Sequence, residues 1–170
     1  MNYQARASMT ENVFVTLWSE SLQSAFDKMR HLHIRHLPVV DQNGNIVGML
    51  SERDLQRAMT VVPPSIANRD QVAEFDPDFI VRDFMSQEVH TISEKANLKE
   101  AAQAMNSLKV SSLVVTNANR EMVGILTNED LLVVLIGLLN RQPSVVDEFK
   151  NLCYNSPLGA IANLLNQSGI

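Results

Sequence analysis

Two similar eight-residue strings carry the polar groups with the most specific spacing in the chain. Residues 48–55 read GMLSERDL and residues 124–131 read GILTNEDL. In each string a hydroxyl residue follows a glycine and two apolar residues, and an aspartate lies three positions later. Ser51 and Thr127 are good helix N-caps, and the aspartates at the third helical position complete a capping-box pattern at the positive end of the helix dipole. Either string taken alone is explained by helix capping.

The two strings belong to a tandem duplication. A shift of 76 positions places residues 9–55 on residues 85–131 without a gap, and 14 of the 47 aligned pairs are identical. About three identities are expected by chance from ordinary composition, so the excess is large. One order of elements should therefore occur twice.

Alternating periodicities predict that order in the first copy. Residues 13–16 (VFVT) are β-branched and aromatic, as in a short strand, and apolar residues recur at helical spacing over residues 22–32. Residues 37–50 form two apolar runs around an Asn-Gly turn, which predicts a hairpin. An amphipathic stretch opens at Ser51. The copy reads strand, helix, strand, strand, helix.

The second copy repeats the order, although its turn NANR is a weaker hairpin signal than Asn-Gly. The predicted elements are a strand over 89–92, a helix over 98–108, strands over 113–115 and 122–126, and a helix from Asn128 to about residue 140. A small sheet with two helices on one face leaves apolar surface that the two copies can bury together. The predicted fold class is α+β (mixed α/β): two tandem repeats, each a small three-stranded sheet with two helices, packed with pseudo-two-fold symmetry and followed by extra C-terminal helices.

Proline pairs and unmatched segments define the predicted domains. The first repeat is assigned to residues 1–60, a connector to 61–80, the second repeat to 81–140 and a helical tail to 141–170. The connector has room for a short helix over 70–75, and the tail has amphipathic segments over 145–154 and 158–166. The tail either caps the core or forms a surface for self-association or a target.

Composition excludes several classes of protein. The chain has 170 residues and 45% hydrophobic content, which excludes a disordered polypeptide, and its net charge of −5 disfavours direct nucleic-acid binding. Cys153 is the single cysteine, so no internal disulfide is possible and a reduced compartment is expected. The N-terminus shows no export signal, and the longest apolar run, residues 131–139, is far short of the ~20 needed for a membrane span. We therefore expect a cytoplasmic protein.

The duplicated arrangement resembles a known family. The string follows HIRHLPVVD in the first copy and KVSSLVVTN in the second, each after a strand and a helix. This order resembles the cystathionine beta-synthase (CBS) domain, and the pair over residues 8–55 and 82–132 resembles a Bateman module. The resemblance implies a regulatory module that binds AMP, ADP, ATP or an S-adenosylmethionine-like adenosyl ligand in clefts between paired domains.

The resemblance also implies roles for particular residues. It assigns the hydroxyl and aspartate of each string to the ribose, which maps onto Ser51 with Asp54 and onto Thr127 with Asp130; a carboxylate can accept hydrogen bonds from both ribose hydroxyls. It places the adenine between the first strand of one repeat and the strand after the helix. By position, the adenine residues are Met85, Val89, His90 and Val110 at the Asp54 site, and Met9, Val13, Phe14 and Ile34 at the Asp130 site. Most of these would be core residues in any interpretation.

Phosphate-facing positions differ between the copies. Family members that bind phosphates often carry basic residues where the first copy has Arg35, His36 and Arg53, whereas the second copy has Ser111, Ser112 and Glu129. If each site draws mainly on its own repeat, the Asp54 site prefers phosphorylated ligands and the Asp130 site is weak or selects a neutral adenosyl group. Alternatively, the phosphates meet near the pseudo-two-fold axis, where Arg35 and His36 serve either site.

No catalytic or metal motif is recognisable. The chain lacks G-x-x-x-x-G-K, G-x-S-x-G, H-E-x-x-H and a Gly-rich dinucleotide turn, so neither an enzyme nor a catalytic cofactor is expected. His31, His33 and His36 lie close together, but His31 suits a helix end and no carboxylate or cysteine completes a metal set.

The predicted function is a ligand sensor without catalysis. An adenine nucleotide as regulatory ligand would shift the placement of repeats or protomers, and an unidentified target protein would detect the change. By resemblance, a homodimer is expected. The alternative is a dimerisation or protein-interaction module with vestigial ligand sites. Action on DNA or on a membrane transporter would require another chain.

Overall fold

The structure, a computed structural model, describes residues 3–61 and 75–140. A short 3-10 helix (Ala5–Ala7) precedes the first copy. The first copy contains β1 (Thr16–Leu17), α1 (Leu22–Leu32), β2 (His36–Val40), β3 (Ile46–Ser51) and α2 (Glu52–Val61). The second copy contains α3 (Val81–Phe84), β4 (Thr91–Ser93), α4 (Leu98–Leu108), β5 (Ser112–Thr116), β6 (Met122–Thr127) and α5 (Asn128–Leu139). Apart from the added α3, the order is the predicted one, and the α+β class is confirmed.

Each copy forms one three-stranded sheet with the same topology. The strand orders are β1-β2-β3 and β4-β5-β6, the first pair in each sheet being parallel and the second antiparallel. The parallel pair is joined through a helix, α1 or α4, as a parallel connection requires. Both antiparallel pairs carry a register shift at the same point, between Val39 and Val40 and between Val115 and Thr116. The duplication therefore extends to irregularities of the ladder.

The first strand of each copy begins later than its sequence predicts. The strand expected over 13–16 is confined to Thr16–Leu17, and that expected over 89–92 is Thr91–Ser93. Only Thr16 and Leu17 pair with β2. The β-branched and aromatic side chains at 13 and 14 instead line a cavity described below.

The hairpin turns use the same backbone conformation with different residues. Gly44 has φ 83°, and Arg120, at the equivalent position of the second copy, has φ 66°. Asp41 and Asn117 stabilise the turns by accepting backbone N–H bonds. A side chain at positive φ is costly, but an Asx-type turn holds the second hairpin despite its weaker sequence signal.

Caps and buried side chains account for the two main helices. The Ser21 side chain accepts from the Ser24 N–H at the start of α1, and Asn97 with Glu100 forms a complete capping box at the start of α4. The first core contains Leu22, Ala25, Met29, Leu37, Val39, Leu50, Leu55, Ala58, Phe75 and Val81. The second copy buries Leu98, Ala101, Met105, Leu113, Val114, Val115, Ile125 and Leu126.

The segment that leads into the second copy packs on the first. The Leu22 N–H donates to the Phe79 carbonyl at 2.8 Å, at the start of α1. Further along, Met49 on β3 and Ser86 exchange two backbone hydrogen bonds of 2.9 Å. Residues 79–86 thus pack on the first copy, with Phe79 at the start of α1 and Ser86 paired to β3.

The segment before the first copy does the same for the second. The Leu98 N–H donates to the Tyr3 carbonyl at 2.7 Å, and Thr10 and Ile125 on β6 exchange backbone bonds of 2.9 and 3.0 Å. The partners in the two copies are related by the 76-residue shift. The copies therefore exchange their leading segments, 3–10 and 79–86.

A glycine at the middle of each outer strand permits this exchange. A Cβ on Gly48 would lie 2.5 Å from the Met85 sulphur and 2.8 Å from the Ser86 carbonyl oxygen. A Cβ on Gly124 would lie 2.5 Å from the Met9 sulphur and 2.9 Å from the Thr10 carbonyl oxygen. The recurring glycine in the GMLSERDL and GILTNEDL strings is thus a point of close approach between copies.

The fold divides into two units after Leu131. Of the second unit the structure describes 132–140, which continue α5 to Leu139. Six large apolar side chains there are between 38 and 69% exposed: Leu132, Val133, Leu135, Ile136, Leu138 and Leu139. Within residues 3–61 and 75–140, no helix has the length and apolar character to cross a membrane. The helices expected over 145–154 and 158–166 lie outside the described residues. Of the helix expected over 70–75, the structure describes only Phe75, which is not helical.

Glu20 joins β1 to α1 in the first copy. Its carboxylate accepts hydrogen bonds from Ser24 at 2.6 Å, Thr16 at 2.5 Å and Lys28 at 3.1 Å. Burial raises the pKa of Glu20, but these hydrogen bonds and the Lys28 charge outweigh burial and lower the pKa from 4.5 to about 2. The second copy has Ala96 at this position and relies on its capping box instead.

Replacing Gly48 by alanine should weaken the exchange between copies. The added Cβ meets a backbone oxygen that cannot rotate away, so we expect Gly48→Ala to lower the free energy of unfolding by about 1 to 3 kcal/mol in urea denaturation. Gly137→Ala in α5 is the matched control, because no described atom lies within 4 Å of its Cβ and alanine favours a helix. Equal losses in both variants would contradict this account.

Glu20 should make stability depend on pH in a defined range. Because its folded pKa is depressed, the stability it supplies is complete above about pH 4.5 and is lost as the pH falls toward 2. Glu20→Gln should cost about 2 to 3 kcal/mol at pH 7, and the difference from wild type should shrink across that range. Ser24→Ala, which removes one donor, should show a smaller difference with the same pH dependence. A difference that stays constant from pH 7 to pH 2.5 would contradict the assignment.

Candidate functional site

The hydroxyl and carboxylate of the first string contact each other. The Asp54 Oδ2 accepts the Ser51 backbone N–H at 2.9 Å and the Ser51 hydroxyl at 2.5 Å. The other carboxylate oxygen of Asp54 lies 3.3 Å from an Arg57 guanidinium nitrogen. Asp54 thus binds the strand end to the first turn of α2.

The second string has the same geometry. The Asp130 Oδ2 accepts the Thr127 backbone N–H at 2.7 Å and the Thr127 hydroxyl at 2.8 Å. Among the described residues, no hydrogen bond reaches its second oxygen. In both strings the hydroxyl donates to the aspartate, so the carboxylate caps the helix through one oxygen. The second oxygen contacts Arg57 in the first string, whereas in the second string no described residue donates to it.

A cavity of about 500 Å³ lies between the two repeats beside Asp54. The first repeat contributes Ser51 and Asp54 to its lining. The second repeat contributes two of the predicted adenine residues, His90 and Val110, together with Ser111 and Ser112. Met85 and Val89 were predicted here but do not line it; Met85 packs on Gly48 instead. Predicted residues that do line this cavity are Arg35, His36, Ser51, Arg53, Asp54, His90, Val110 and Ser111.

A smaller cavity of about 260 Å³ lies beside Thr127. Its lining includes the predicted residues Val13, Phe14 and Ile34. Met9 and Asp130 were also predicted for this site but are not part of its lining, Met9 being packed against Gly124. The two cavities thus occupy equivalent places in the two copies with unequal volumes.

Three residues line both cavities: Arg35, His36 and Glu129. Arg35 and Glu129 form an ion pair across the repeats, each side chain being about half exposed, 55% and 48%. His36 Nε2 shares a 2.8 Å hydrogen bond with the Ser111 hydroxyl, also across the repeats. This set forms a polar wall between the cavities.

The protonation of His36 reflects its place in that wall. Burial lowers the pKa of His36, the neighbouring Arg35 and Arg53 charges lower it further, and Asp54 opposes them. His36 is therefore mainly neutral at pH 7. An anion entering beside Arg35 and Arg53 would favour its protonated form.

Sequence reasoning missed two cations of the large cavity. Arg57 of the first repeat and Lys109 of the second both line it. Because Lys109 belongs to the second repeat, the positive charge of the cavity does not come from the first repeat alone. Lys109 is the left-handed cap residue of α4 and is equivalent to His33, which caps α1 and lines the small cavity. The 76-residue shift was the signal that could have found Lys109. Within the described residues, Arg53 and Lys109 form no ion pair.

The histidines do not converge. In residues 3–61 and 75–140, no three His, Cys, Asp or Glu side chains are grouped as metal ligands. His31 is at the exposed end of α1, and His33 and His36 lie on the cavities.

The family is shown by comparison with known proteins. The family model of the CBS domain matches residues 7–61 and 81–137, more than half of the chain, and the chain belongs to the CBS domain family. A CBS domain-containing protein of Dictyostelium discoideum is 30% identical over 143 residues, which cover 84% of this chain and 98% of that protein.

Solved structures share the paired fold. The CBS domain pair of protein MJ0100, in complex with 5′-methylthioadenosine and S-adenosyl-L-methionine, has a TM-score of 0.65 and 23% identity, covering 79% of this chain and 97% of that one. CBSX2 in complex with AMP has a TM-score of 0.64 and 24% identity, covering 81% of this chain and 98% of that one. Both neighbours bind adenosyl ligands.

Some relatives are much longer. The chain spans 22% of the homoserine O-acetyltransferase of Methanococcoides burtonii, to which it is 26% identical over 123 residues. CBS domain pairs are in general regulatory rather than catalytic. The likeness to that enzyme is to a part of its length.

Removing the aspartate should destabilise the protein even without ligand. Asp54→Ala leaves the Ser51 N–H and hydroxyl without their acceptor, so we expect a loss of about 1 to 2 kcal/mol in the free energy of unfolding. Ser51→Ala, which removes only the hydroxyl, should lose about half as much. Urea denaturation of the nucleotide-free protein measures both. A larger loss for Ser51→Ala would contradict the capping geometry.

Proposed function

We propose that this protein is a regulatory module that binds an adenine nucleotide, or a related adenosyl ligand, between its two CBS repeats and signals occupancy to a partner protein in the cytoplasm. The observation that carries the proposal is the large cavity, which brings Asp54 of one repeat together with Lys109, Ser111 and His90 of the other. A ligand there touches both repeats. It can therefore favour one relative placement over another.

The size and lining of the large cavity support this ligand class. A volume of about 500 Å³ lies within the usual range for small-molecule sites, whereas about 260 Å³ is just below it. Val110 and Met49 offer apolar cover for a base, and Asp54 keeps a carboxylate oxygen within reach of a sugar hydroxyl. The adenosyl ligands of the MJ0100 pair and of CBSX2 support the same class.

The cations of the large cavity favour phosphorylated ligands at the Asp54 site. Arg53 and Lys109 have no described ion-pair partner, so their charge is available to phosphate oxygens. In the small cavity Arg35 is already paired with Glu129, and the lining includes the apolar residues Val13, Phe14 and Ile34. We propose that the Asp130 site takes a neutral adenosyl group or stays weak.

A second candidate function has one observation in its favour. The apolar side chains of α5 from Leu132 to Leu139 are exposed, as on a surface that associates with another chain. A homodimer or an interaction module with unused ligand sites would account for that surface. Helix capping alone would then explain the two strings.

Ligand titration distinguishes the two functions. Nucleotide-free protein should show saturable calorimetric binding and a raised Tm with AMP, ADP or ATP, because a ligand that prefers the folded state stabilises it. Asp54→Asn keeps an acceptor for the cap but loses the charge, and should weaken nucleotide binding by about tenfold or more. Asp130→Asn is the matched control and should leave that affinity within about twofold.

Two results would contradict the proposal. Loss of nucleotide binding in Asp130→Asn with none in Asp54→Asn would reverse the assignment of the sites. No response to AMP, ADP, ATP or S-adenosylmethionine would favour the interaction module.

A further inference from the structure

The Arg35–Glu129 ion pair stands in the wall that both cavities share. Arg35 precedes β2 in the first repeat, and Glu129 is in the first turn of α5 in the second. Both residues line the large cavity and the small one. The guanidinium that lines both cavities is therefore already paired with a carboxylate of the protein.

The pseudo-symmetric counterpart of this contact lacks a charge pair. The 76-residue shift relates Arg35 to Ser111 and Glu129 to Arg53. The equivalent residues, Ser111 and Arg53, both line the large cavity, and among the described residues Arg53 forms no ion pair. The equivalent positions of GMLSERDL and GILTNEDL thus carry opposite charges, Arg53 and Glu129. Of these two, Glu129 forms an ion pair, with Arg35.

We propose that Glu129 competes with the phosphate of the ligand for Arg35. By occupying Arg35, Glu129 sets the charge of the ligand that each cavity accepts. This inference rests on the proposed function and adds its specificity residue. An anionic ligand in the large cavity that reaches beyond Arg53 and Lys109 to Arg35 must share Arg35 with Glu129 or displace Glu129 from it. A neutral adenosyl ligand has no such competition.

The shared wall also couples the two cavities. When a phosphate in the large cavity takes Arg35, the released Glu129 carboxylate still lines the small cavity. A second anion, in the small cavity, would then be repelled by the unpaired Glu129 carboxylate. A neutral ligand there can instead donate hydrogen bonds to Glu129. One anionic and one neutral ligand is the combination the wall favours.

The effect of Glu129 on nucleotide affinity should be modest because the Arg35–Glu129 ion pair is accessible to water. Both side chains are about half exposed, and ion pairs of that kind are weak. We therefore expect Glu129→Gln to tighten ATP binding by about three- to tenfold and AMP binding by less. Adenosine, which carries no phosphate, should bind the variant as it binds wild type.

Calorimetric titration of adenosine, AMP and ATP into four proteins tests this inference: wild type, Glu129→Gln, Arg35→Gln and the double variant. If Glu129 acts by occupying Arg35, its substitution has no effect once Arg35 is gone, so Arg35→Gln and the double variant should bind ATP alike. Glu121→Gln, on the β5–β6 turn and outside both cavities, removes the same charge and should leave all affinities within about twofold. Thermal unfolding checks that each variant is folded.

Each outcome decides a different point. A gain in ATP affinity that persists without Arg35 would mean direct repulsion and would overturn the competition. Wild-type binding with no gain in Glu129→Gln, or an equal gain for adenosine, would overturn the inference and leave the proposed function intact. If no variant binds any of the three ligands, both proposals fail.

Discussion

The exchange of leading segments is the constraint on which the rest of the structure depends. Residues 3–10 pack on the second copy, where Thr10 pairs with Ile125 on the outer strand, and residues 79–86 pack on the first, where Ser86 pairs with Met49. Glycine is required where each segment crosses its strand, at Gly48 and Gly124. These backbone contacts hold the two copies against each other at one interface. Both cavities lie there.

Helix capping and the proposed ligand binding involve the same two aspartates in this fold. Asp54 and Asp130 each commit one oxygen to a backbone N–H and a hydroxyl, which fixes the carboxylate at the mouth of a helix. A carboxylate held in this way is preorganised, since its orientation costs a ligand little additional entropy. The two interpretations of the strings are therefore compatible.

Much of the fold could be predicted because its signals are local and occur twice. The helices over 22–32 and 98–108 match the structure, since periodicity and caps define them. The strand over 13–16 was displaced because pairing with β2, which is not a local property, limits it to Thr16–Leu17. The exchange of segments has no local sequence signal, and so the packing of Met9 on Gly124 and of Met85 on Gly48 was not predicted. Lys109 and the Arg35–Glu129 pair depend on contacts between copies, which one sequence does not contain.

The exchanged segments also bear on how such a chain can originate. A single copy standing alone lacks these partners for its leading segment, and a dimer of two identical copies has two identical clefts that every mutation alters together. Joining the copies in one polypeptide keeps the pairing of strands and removes that restriction. Arg53 and Glu129 occupy equivalent places with opposite charge, an arrangement that two separate identical chains could not have acquired. In this protein, two copies within one chain allow one fold to present two different clefts.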